Sequence, residues 1–241
     1  MMQRRDCAVL VSLRLVALVS MCLDHAGLTL FPSFGVFRCI GRIAFPLYCF
    51  LLVQGFLHTR DVRSYGRRLL LFAILSEIPF DLLIFGRLSS PIEQNVLFSL
   101  LFALLTLVSC DTLNRSPLQA LVVSITLATC AMALRLSFGW LSVALCLGFY
   151  YTRENKLHQL ILAAGMLLLY SFSLLLSGVE RSWVLTSFCS LLSLIPIRRY
   201  NGKPGPRHPL LGFLFYAAYP AHLLLLFWLR SMRFVPPYFL Q

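Results

Sequence analysis

Long apolar runs, each close to the length that crosses a bilayer, recur from one end of the chain to the other. Short polar stretches separate the runs and carry most of the basic residues. This pattern predicts an all-α, polytopic transmembrane helical bundle of about nine to ten helices. The predicted segments are 8–29, 35–57, 66–85, 92–109, 117–135, 137–152, 158–177, 181–197 and 209–230. Because the connections are brief, we expect residues 1–241 to form a single transmembrane domain whose chemistry takes place among the helices.

The composition excludes an ordinary soluble domain. Of the 241 residues, 59% are hydrophobic and 12% are charged, and the mean hydropathy is +0.81. A formal net charge of +12 would suggest a nucleic-acid partner in a soluble protein. Here the basic residues lie between apolar runs, so the expected partner is the lipid bilayer and not nucleic acid. The eight cysteines form no C-x-x-C pair and lie mostly in apolar runs, so no metal site is expected.

The distribution of Lys and Arg gives an orientation. Counting alternate connections places thirteen of these residues on one side of the membrane and six on the other, with Arg14 and Arg42 inside helices. The positive excess marks the cytoplasmic side, so we expect a cytoplasmic N-terminus. A basic N-terminus before an apolar run is also typical of a signal peptide. This run continues past signal length and shows no small-x-small cleavage site, so we interpret it as the first helix.

The first apolar segment contains three polar residues, Arg14, Asp24 and His25. A charge at the centre of a bilayer costs about 3 kcal/mol or more, so such residues usually mark a functional site or its structural partner. Arg14 and His25 are eleven residues apart, or about three helical turns, so both lie on one helix face, separated by about 16 Å along the axis. A cation and a titratable imidazole at two depths suit an elongated anionic ligand with a reactive end.

Later segments carry further polar residues at membrane depth, namely Arg42, Glu77, Asp81, Asn95, Tyr219 and His222. Glu77 and Asp81 are four residues apart and therefore share a helix face. The predicted orientation places them in the same half of the membrane as Arg42, which is their expected counter-charge. A purely structural ion pair is the alternative to direct chemistry for this set. Asn95 and His222 are alternatively residues that only form hydrogen bonds between helices.

Seven short stretches, in order from the first segment to the last, resemble the TraX family of integral membrane proteins, which is named for the F-pilin acetylase. They are LDH (23–25), GRIAFPL (41–47), LLVQGFLHT (51–59), SEIPFDL (76–82), NVLF (95–98), YNGK (200–203) and YPAHL (219–223). The resemblance covers essentially the whole chain, and the combination is specific although no single stretch is.

The TraX family is similar to the type 3 membrane acyltransferases and to the lysosomal heparan-glucosaminide acetyltransferase. Type 3 enzymes carry an Arg-x10-His motif on the first helix, and Arg14 and His25 match its spacing. The resemblance implies that His25 is catalytic, that Arg14 helps to hold a cytosolic acyl-CoA donor, and that the acceptor arrives from the other side. This chain departs from the family pattern with Arg14 where Lys is frequent, Gln54 where Glu is common, and Ser137-Phe138-Gly139 where an Asp-Tyr-Gly-like motif supplies a carboxylate.

The residues and the resemblance together predict a membrane-bound acetyltransferase, or more generally an acyltransferase, that moves an acyl group from acetyl-CoA to an amine or hydroxyl. The candidate catalytic residues are His25, Asp24, Arg42, Glu77, Asp81 and His222. We expect His25 to act as general base or as acyl carrier, with one of the carboxylates orienting its ring. Arg42 and His222 are candidates for polarising the thioester carbonyl.

Binding residues follow from the same interpretation. The expected ligands of the donor phosphates are Arg14, Arg67, Arg68, Arg198, Arg199 and Lys203. Asn95 and Tyr219 are the expected acceptor-binding residues. We expect the acceptor to be a pilin or other protein N-terminus, or a glycan, presented at the outer side of a bacterial inner membrane.

Two other classes of protein compete with this prediction. A transporter or lipid flippase also places buried charges and prolines near the midplane of the membrane. Such proteins often show repeated halves, and no obvious repeat is found in this sequence. A non-catalytic assembly protein is the third class, and it gives no reason for a polar interior.

Overall fold

The computed structural model describes residues 2–113, 116–202 and 209–232, with side chains from residue 10 onward and, in the last range, from residue 212. Within these ranges the chain forms α-helices and no β-sheet, which confirms the predicted all-α class. The helices are α1 (Met2–Thr29), α2 (Gly35–Gly41), α3 (Ala44–His58), α4 (Val62–Phe85), α5 (Val96–Thr112), α6 (Pro117–Ala133), α7 (Trp140–Tyr151), α8 (Lys156–Leu176), α9 (Arg181–Phe188), α10 (Leu194–Arg198) and α11 (Pro209–Met232), with a 3₁₀ turn at Cys189–Ser193 before α10.

Each predicted segment contains helix, but two of the segments are interrupted. The second is broken into α2 and α3, and the eighth is divided into α9, the 3₁₀ turn and α10. The fourth begins at Val96 rather than near residue 92, because the preceding loop is fastened to α4. Asp81 Oδ2 accepts a hydrogen bond from the backbone N–H of Ser90 at 2.7 Å. Asn95 then caps α5 by accepting a hydrogen bond from the N–H of Leu97 at 3.0 Å.

Among the residues that the structure describes, four helical stretches are long and apolar enough to cross a membrane. They are Leu10–Thr29, Gly35–His58, Lys156–Leu176 and Gly212–Met232. Large apolar side chains also cover outward faces of the bundle, and Leu176 and Leu118 are 88% and 72% exposed. Exposed apolar faces of this kind suit contact with lipid tails better than contact with water. The number of crossings and the orientation of the N-terminus stay predictions.

Five helices surround one interior. The first helix, α1, packs against α3 and α11, while α11 packs against α4, and α5 packs against both α3 and α4. On another side, α7 packs on α3 and α5 and is flanked by α6 and α8. Fully buried apolar side chains in this core include Leu47, Phe50, Leu104 and Leu223. The helices from the two ends of the sequence are therefore neighbours in the fold.

Glycine allows α1 and α2 to cross at very close range. A Cβ atom at Gly41 would lie 2.3 Å from the Cβ atom of Asp24 and 2.6 Å from its Cα atom. A Cβ atom at Gly27 would lie 2.7 Å from the Cβ atom of Phe37. Small residues let helix backbones approach in this way. The crossing brings the basic residues of α2 to the C-terminal end of α1.

Replacing Gly41 with Ala is expected to destabilise the protein. The added methyl group meets the backbone of α1, and overpacking of this kind typically costs about 1–3 kcal/mol. We expect Gly41→Ala to lower the melting temperature of the detergent-purified protein by several degrees. Gly35→Ala in the same helix is the matched control, because a Cβ atom there has nothing within 4 Å. Equal melting temperatures for Gly41→Ala and the wild type would contradict the close crossing.

Candidate functional site

A cavity of about 710 Å³ lies between α1, α3, α4, α5 and α11. One end of the cavity, here called the basic end, has four basic side chains in its wall: Arg14, His58, Arg60 and Arg68. The other end, here called the Tyr219 end, is lined by Met21, Tyr48, Val96 and Tyr219. The wall between the two ends is mostly apolar. This arrangement suits an elongated ligand with an anionic head and an apolar arm.

Arg14 and His25 both face α11 and thus share one helix face, as their spacing predicts. The Arg14 guanidinium lies over the ring of Phe215, 5.8 Å from the ring centroid. The ring centroid of His25 lies 6.3 Å from that of Tyr219 and 5.1 Å from that of His222. Arg14 is therefore at the basic end of the cavity, and His25 stands beside the Tyr219 end.

A chain of hydrogen bonds connects His25 to the backbone of α11. His25 Nδ1 lies 2.8 Å from His222 Nε2, and His222 Nδ1 lies 2.9 Å from the carbonyl oxygen of Ala218. On its own helix, His25 is held by Thr29, whose hydroxyl donates to the His25 carbonyl at 2.7 Å. Within the described residues His25 Nε2 has no hydrogen-bond partner, so it is the ring nitrogen of His25 that is left open.

Asp24 is the centre of an ion-pair cluster. Its Oδ2 atom lies 2.8 Å from Arg38 Nη1 and 3.4 Å from Arg42 Nη2, and Arg38 also donates to the Asp24 carbonyl at 3.2 Å. The indole ring of Trp183 lies 4.5 Å from the Arg38 guanidinium and 5.6 Å from that of Arg42. No hydrogen bond joins the Asp24 carboxylate to the His25 ring in the described part of the chain. The geometry thus gives Asp24 a structural role rather than the expected orienting role.

The two carboxylates of α4 do not pair with Arg42, contrary to the expectation from the sequence. Glu77 Oε2 accepts hydrogen bonds from the backbone N–H of Asn95, at 3.3 Å, and from its side-chain amide. Asp81 accepts a hydrogen bond from the backbone N–H of Ser90, which is in the same loop. Both carboxylates therefore fasten the loop before α5 to α4. Arg42 pairs with Asp24 instead, because the break between α2 and α3 places it against the end of α1.

The two expected acceptor-binding residues differ in their surroundings. Asn95 is fully buried and its amide donates to the carbonyl of Ala73 at 2.9 Å, so its polar groups serve the junction of α4 and α5. Tyr219 is 3% exposed and lines the cavity. Its hydroxyl makes no hydrogen bond of ordinary geometry within the described residues. Tyr219 is therefore the member of this pair that faces the space for a ligand.

The predicted phosphate ligands divide into two groups. Arg14 and Arg68 line the cavity, and the wall adds Arg60, which the sequence pattern alone counts among the topology charges. Three other predicted ligands are exposed and are not among the described wall residues, namely Arg67, Arg198 and Arg199. The remaining predicted ligand, Lys203, lies outside the described part of the chain.

Glu93, a carboxylate that the sequence analysis did not single out, lies within electrostatic range of Arg38 and Arg42 in the ion-pair cluster. Ser137 Oγ donates to Glu93 Oε1 at 2.6 Å, and a backbone bridge holds the two loops together. Burial raises the pKa of Glu93 above its usual value, while the hydrogen bond from Ser137 and the guanidiniums of Arg42 and Arg38 oppose the rise. Glu93 thus supplies a carboxylate beside the position where the family resemblance leads one to expect Asp.

Comparison with known proteins gives the same family as the motifs. A family model described as TraX protein matches residues 10–230. The chain belongs to the TraX family. The match includes every described wall residue of the cavity and both histidines of the hydrogen-bond chain.

Two curated proteins are similar to this TraX-family chain. The probable fimbrial assembly protein FimC, serogroup H1, of Dichelobacter nodosus is 34% identical, and the alignment covers 89% of this chain and 92% of that protein. An uncharacterized protein of Rickettsia prowazekii is 43% identical over 18% of each chain. No solved structure matches.

The ion-pair cluster predicts a stability defect for Asp24→Asn. The change leaves two guanidiniums in a site where the side chains are only 10–18% exposed, and breaking a buried pair in this way typically costs about 3–5 kcal/mol. We expect a clear fall in melting temperature, with partial recovery when Arg38→Gln is added. Glu154→Gln is the matched control because Glu154 is exposed. An Asp24→Asn protein as stable as wild type would rule out this structural role.

Proposed function

We propose that this protein is a multi-pass membrane acyltransferase that moves an acetyl group from acetyl-CoA to an amine or hydroxyl acceptor, with His25 as its reactive group. The observation that carries the proposal is the cavity, which leads from Arg14 and Arg68 to the tyrosine ring beside His25. Cations at one end and an imidazole beside the other correspond to a donor with an anionic head and a reactive acyl end. Membership of a family named for an acetylase supports the same reaction.

The donor is proposed to enter at the basic end of the cavity. Its phosphates bind Arg14, Arg68 and Arg60, because guanidinium groups form strong charge-assisted hydrogen bonds with phosphate oxygens. The pantetheine arm lies along the apolar wall and brings the thioester to the Tyr219 end. Arg14 and His25 are separated by about 16 Å along α1, and this is the distance that the pantetheine arm has to span.

His25 Nε2 is proposed to act on the acceptor. It takes a proton from the acceptor O–H or N–H as the oxygen or nitrogen attacks the thioester carbonyl. The tetrahedral intermediate collapses, the carbon–sulfur bond breaks, and the thiolate of CoA takes the proton back from His25. Direct attack by His25 Nε2 to form an acyl-imidazole is the second route, and it uses the same nitrogen.

Arg42 is proposed to stabilise the oxyanion that forms during this attack. Its Nε atom is buried and has no hydrogen-bond partner within the described residues, although the guanidinium also contacts Asp24. Arg42 lies within electrostatic range of the His25 ring. A fixed donor of this kind, shielded from water, is the usual means of stabilising such an oxyanion.

The acceptor is proposed to approach from the side of Glu93 and Ser137. One oxygen of the Glu93 carboxylate holds Ser137, which leaves the other to accept a hydrogen bond from an amine or hydroxyl. The similar protein of Dichelobacter nodosus carries the name of a fimbrial assembly protein. We therefore propose a protein N-terminus of a pilus subunit, or a glycan of the cell surface, as the acceptor.

The bacterial inner membrane is the proposed location, with the N-terminus in the cytoplasm. The excess of Lys and Arg on one side of the membrane supports this orientation. It directs the basic end of the cavity toward cytosolic acyl-CoA and the His25 end toward an acceptor outside.

His25→Ala is expected to abolish turnover of acetyl-CoA. Loss of the general base removes a contribution of about 10²–10⁴-fold to the rate. The measurement is release of free CoA thiol by purified protein, with a peptide bearing a free N-terminus, the same peptide with a blocked N-terminus, and a monosaccharide as acceptors.

His158→Ala is the matched control for this experiment, because His158 is exposed on α8 and outside the cavity. Wild-type rates in His25→Ala would refute the role of His25. Failure of the wild type to release thiol with every acceptor, together with movement of a lipid or solute across vesicles, would favour a transporter instead.

Arg14→Gln and Arg68→Gln are each expected to weaken binding of CoA. Losing one charge-assisted hydrogen bond costs about 1.5–3 kcal/mol, which raises the dissociation constant about tenfold or more. Titration calorimetry of the purified protein with CoA measures the change. Arg67→Gln and Arg199→Gln are matched controls, because both side chains are exposed away from the cavity wall. Equal weakening by all four variants would contradict the placement of the phosphates.

A further inference from the structure

We propose that His222 is a positioning residue that fixes the tautomer of His25, so that the ring presents an unprotonated Nε2 to the substrate. The inference rests on the proposed function, because it concerns the nitrogen that carries out the transfer. The tautomer of His25 is also a property of the protein without substrate, so a spectroscopic measurement can test it in the absence of turnover.

His222 carries its ring proton on Nδ1. Its Nδ1 atom lies 2.9 Å from the carbonyl oxygen of Ala218. A carbonyl oxygen only accepts hydrogen bonds, so Nδ1 of His222 must carry the hydrogen. In a neutral imidazole the other nitrogen is then unprotonated and accepts. His222 Nε2 therefore offers a lone pair toward α1.

The unprotonated Nε2 of His222 determines the tautomer of His25. His25 Nδ1 lies 2.8 Å from His222 Nε2, and one of these two atoms must donate. Because His222 Nε2 is the acceptor, His25 Nδ1 carries the hydrogen, and His25 Nε2 keeps its lone pair. The backbone of α11 thus determines, through two rings, which nitrogen of His25 is basic.

The neutral state of the pair follows from its surroundings. A protonated His222 would donate from Nε2 and reverse the direction of the bond. The guanidiniums of Arg38 and Arg42 already act on the His25 ring, and His222 is 9% exposed. A further positive charge in this buried site is costly, because no carboxylate among the described residues contacts either ring. Asp24 does not supply that contact, because it is engaged by the two arginines.

The arrangement also defines what His222 does in the reaction. Both of its ring nitrogens are engaged, so it has no donor left for the thioester carbonyl. When His25 Nε2 takes the acceptor proton, the imidazolium keeps its Nδ1–H bonded to His222 Nε2. The proton then passes from His25 Nε2 to the thiolate of CoA, and the neutral tautomer is restored. His222 acts through His25, as the orienting carboxylate does in a Ser-His-Asp triad.

The test is nitrogen NMR of the full-length protein in detergent, with its five histidines labelled with ¹⁵N. The His25 signals are those lost in His25→Gln. We expect the wild type to show a protonated Nδ1 and an unprotonated Nε2 at His25. A wild-type spectrum with the proton on Nε2 overturns the proposal, whatever the activity of any variant.

Two substitutions at His222 separate the hydrogen bond from simple packing. His222→Phe keeps a ring but removes the acceptor, and we expect the His25 proton to redistribute onto Nε2. His222→Gln retains an acceptor oxygen, and we expect the wild-type tautomer to remain. His158→Gln is the control at an exposed histidine. An unchanged His25 tautomer in a folded His222→Phe protein also overturns the proposal.

The rate at which the His222 variants release CoA thiol is a second test of the positioning role. We expect His222→Phe to lower release of CoA thiol about 10²-fold, with CoA affinity unchanged, and His222→Gln to recover most of the rate. Equal rates in the two variants would contradict the positioning role. If the tautomer is as proposed but the wild type releases no thiol with any acceptor, then the proposed function fails while the tautomer assignment holds.

Discussion

The hydrogen bond between His25 and His222 joins the first helix to the last, across 197 positions of the sequence. It closes α11 onto α1, and these two helices form one wall of the cavity. The same contact holds the His25 ring beside the Tyr219 end of the cavity. It engages Nδ1 of His25 and leaves Nε2 without a partner in the described structure. One polar contact between the first and the last helix thus fixes the His25 ring beside the cavity and, with the proposed tautomer, the nitrogen that is basic.

The buried charges follow from the same constraint, since an uncompensated charge in a low-dielectric interior is unstable. Asp24, Arg38 and Arg42 form one ion-pair cluster, and Glu93, which accepts a hydrogen bond from Ser137, lies within electrostatic range of both guanidiniums. The carboxylate of Asp24 thus offsets the charge of these guanidiniums directly. Such compensation lets a buried region hold charged side chains next to a neutral imidazole.

Much of the fold could be predicted from the sequence because helical periodicity is a local property. The spacing of Arg14 and His25 was enough to place both on one helix face, whereas the structure alone shows that this face meets α11. The sequence also located each helical segment within a few residues, but not the break after Gly41, where a close crossing with α1 interrupts an otherwise apolar run.

The partners of the buried charges could not be predicted, because they depend on tertiary contacts. Arg42 was expected beside Glu77 on the grounds of depth alone, yet depth does not say which helices are neighbours. Arg38 precedes Arg42 by four residues and so shares its helix face, which is a signal that points to a common partner. Glu93 gave no such signal, since only the contact between two loops brings it to Ser137.

The central claim is that one cavity holds acetyl-CoA with its thioester at His25. A structure of the protein bound to a hydrolysis-resistant acetyl-CoA analogue tests this claim most directly. The account predicts phosphates at Arg14 and Arg68 and the acyl carbon within reach of His25 Nε2. An analogue bound elsewhere, or a cavity filled by lipid at saturating analogue, would contradict it.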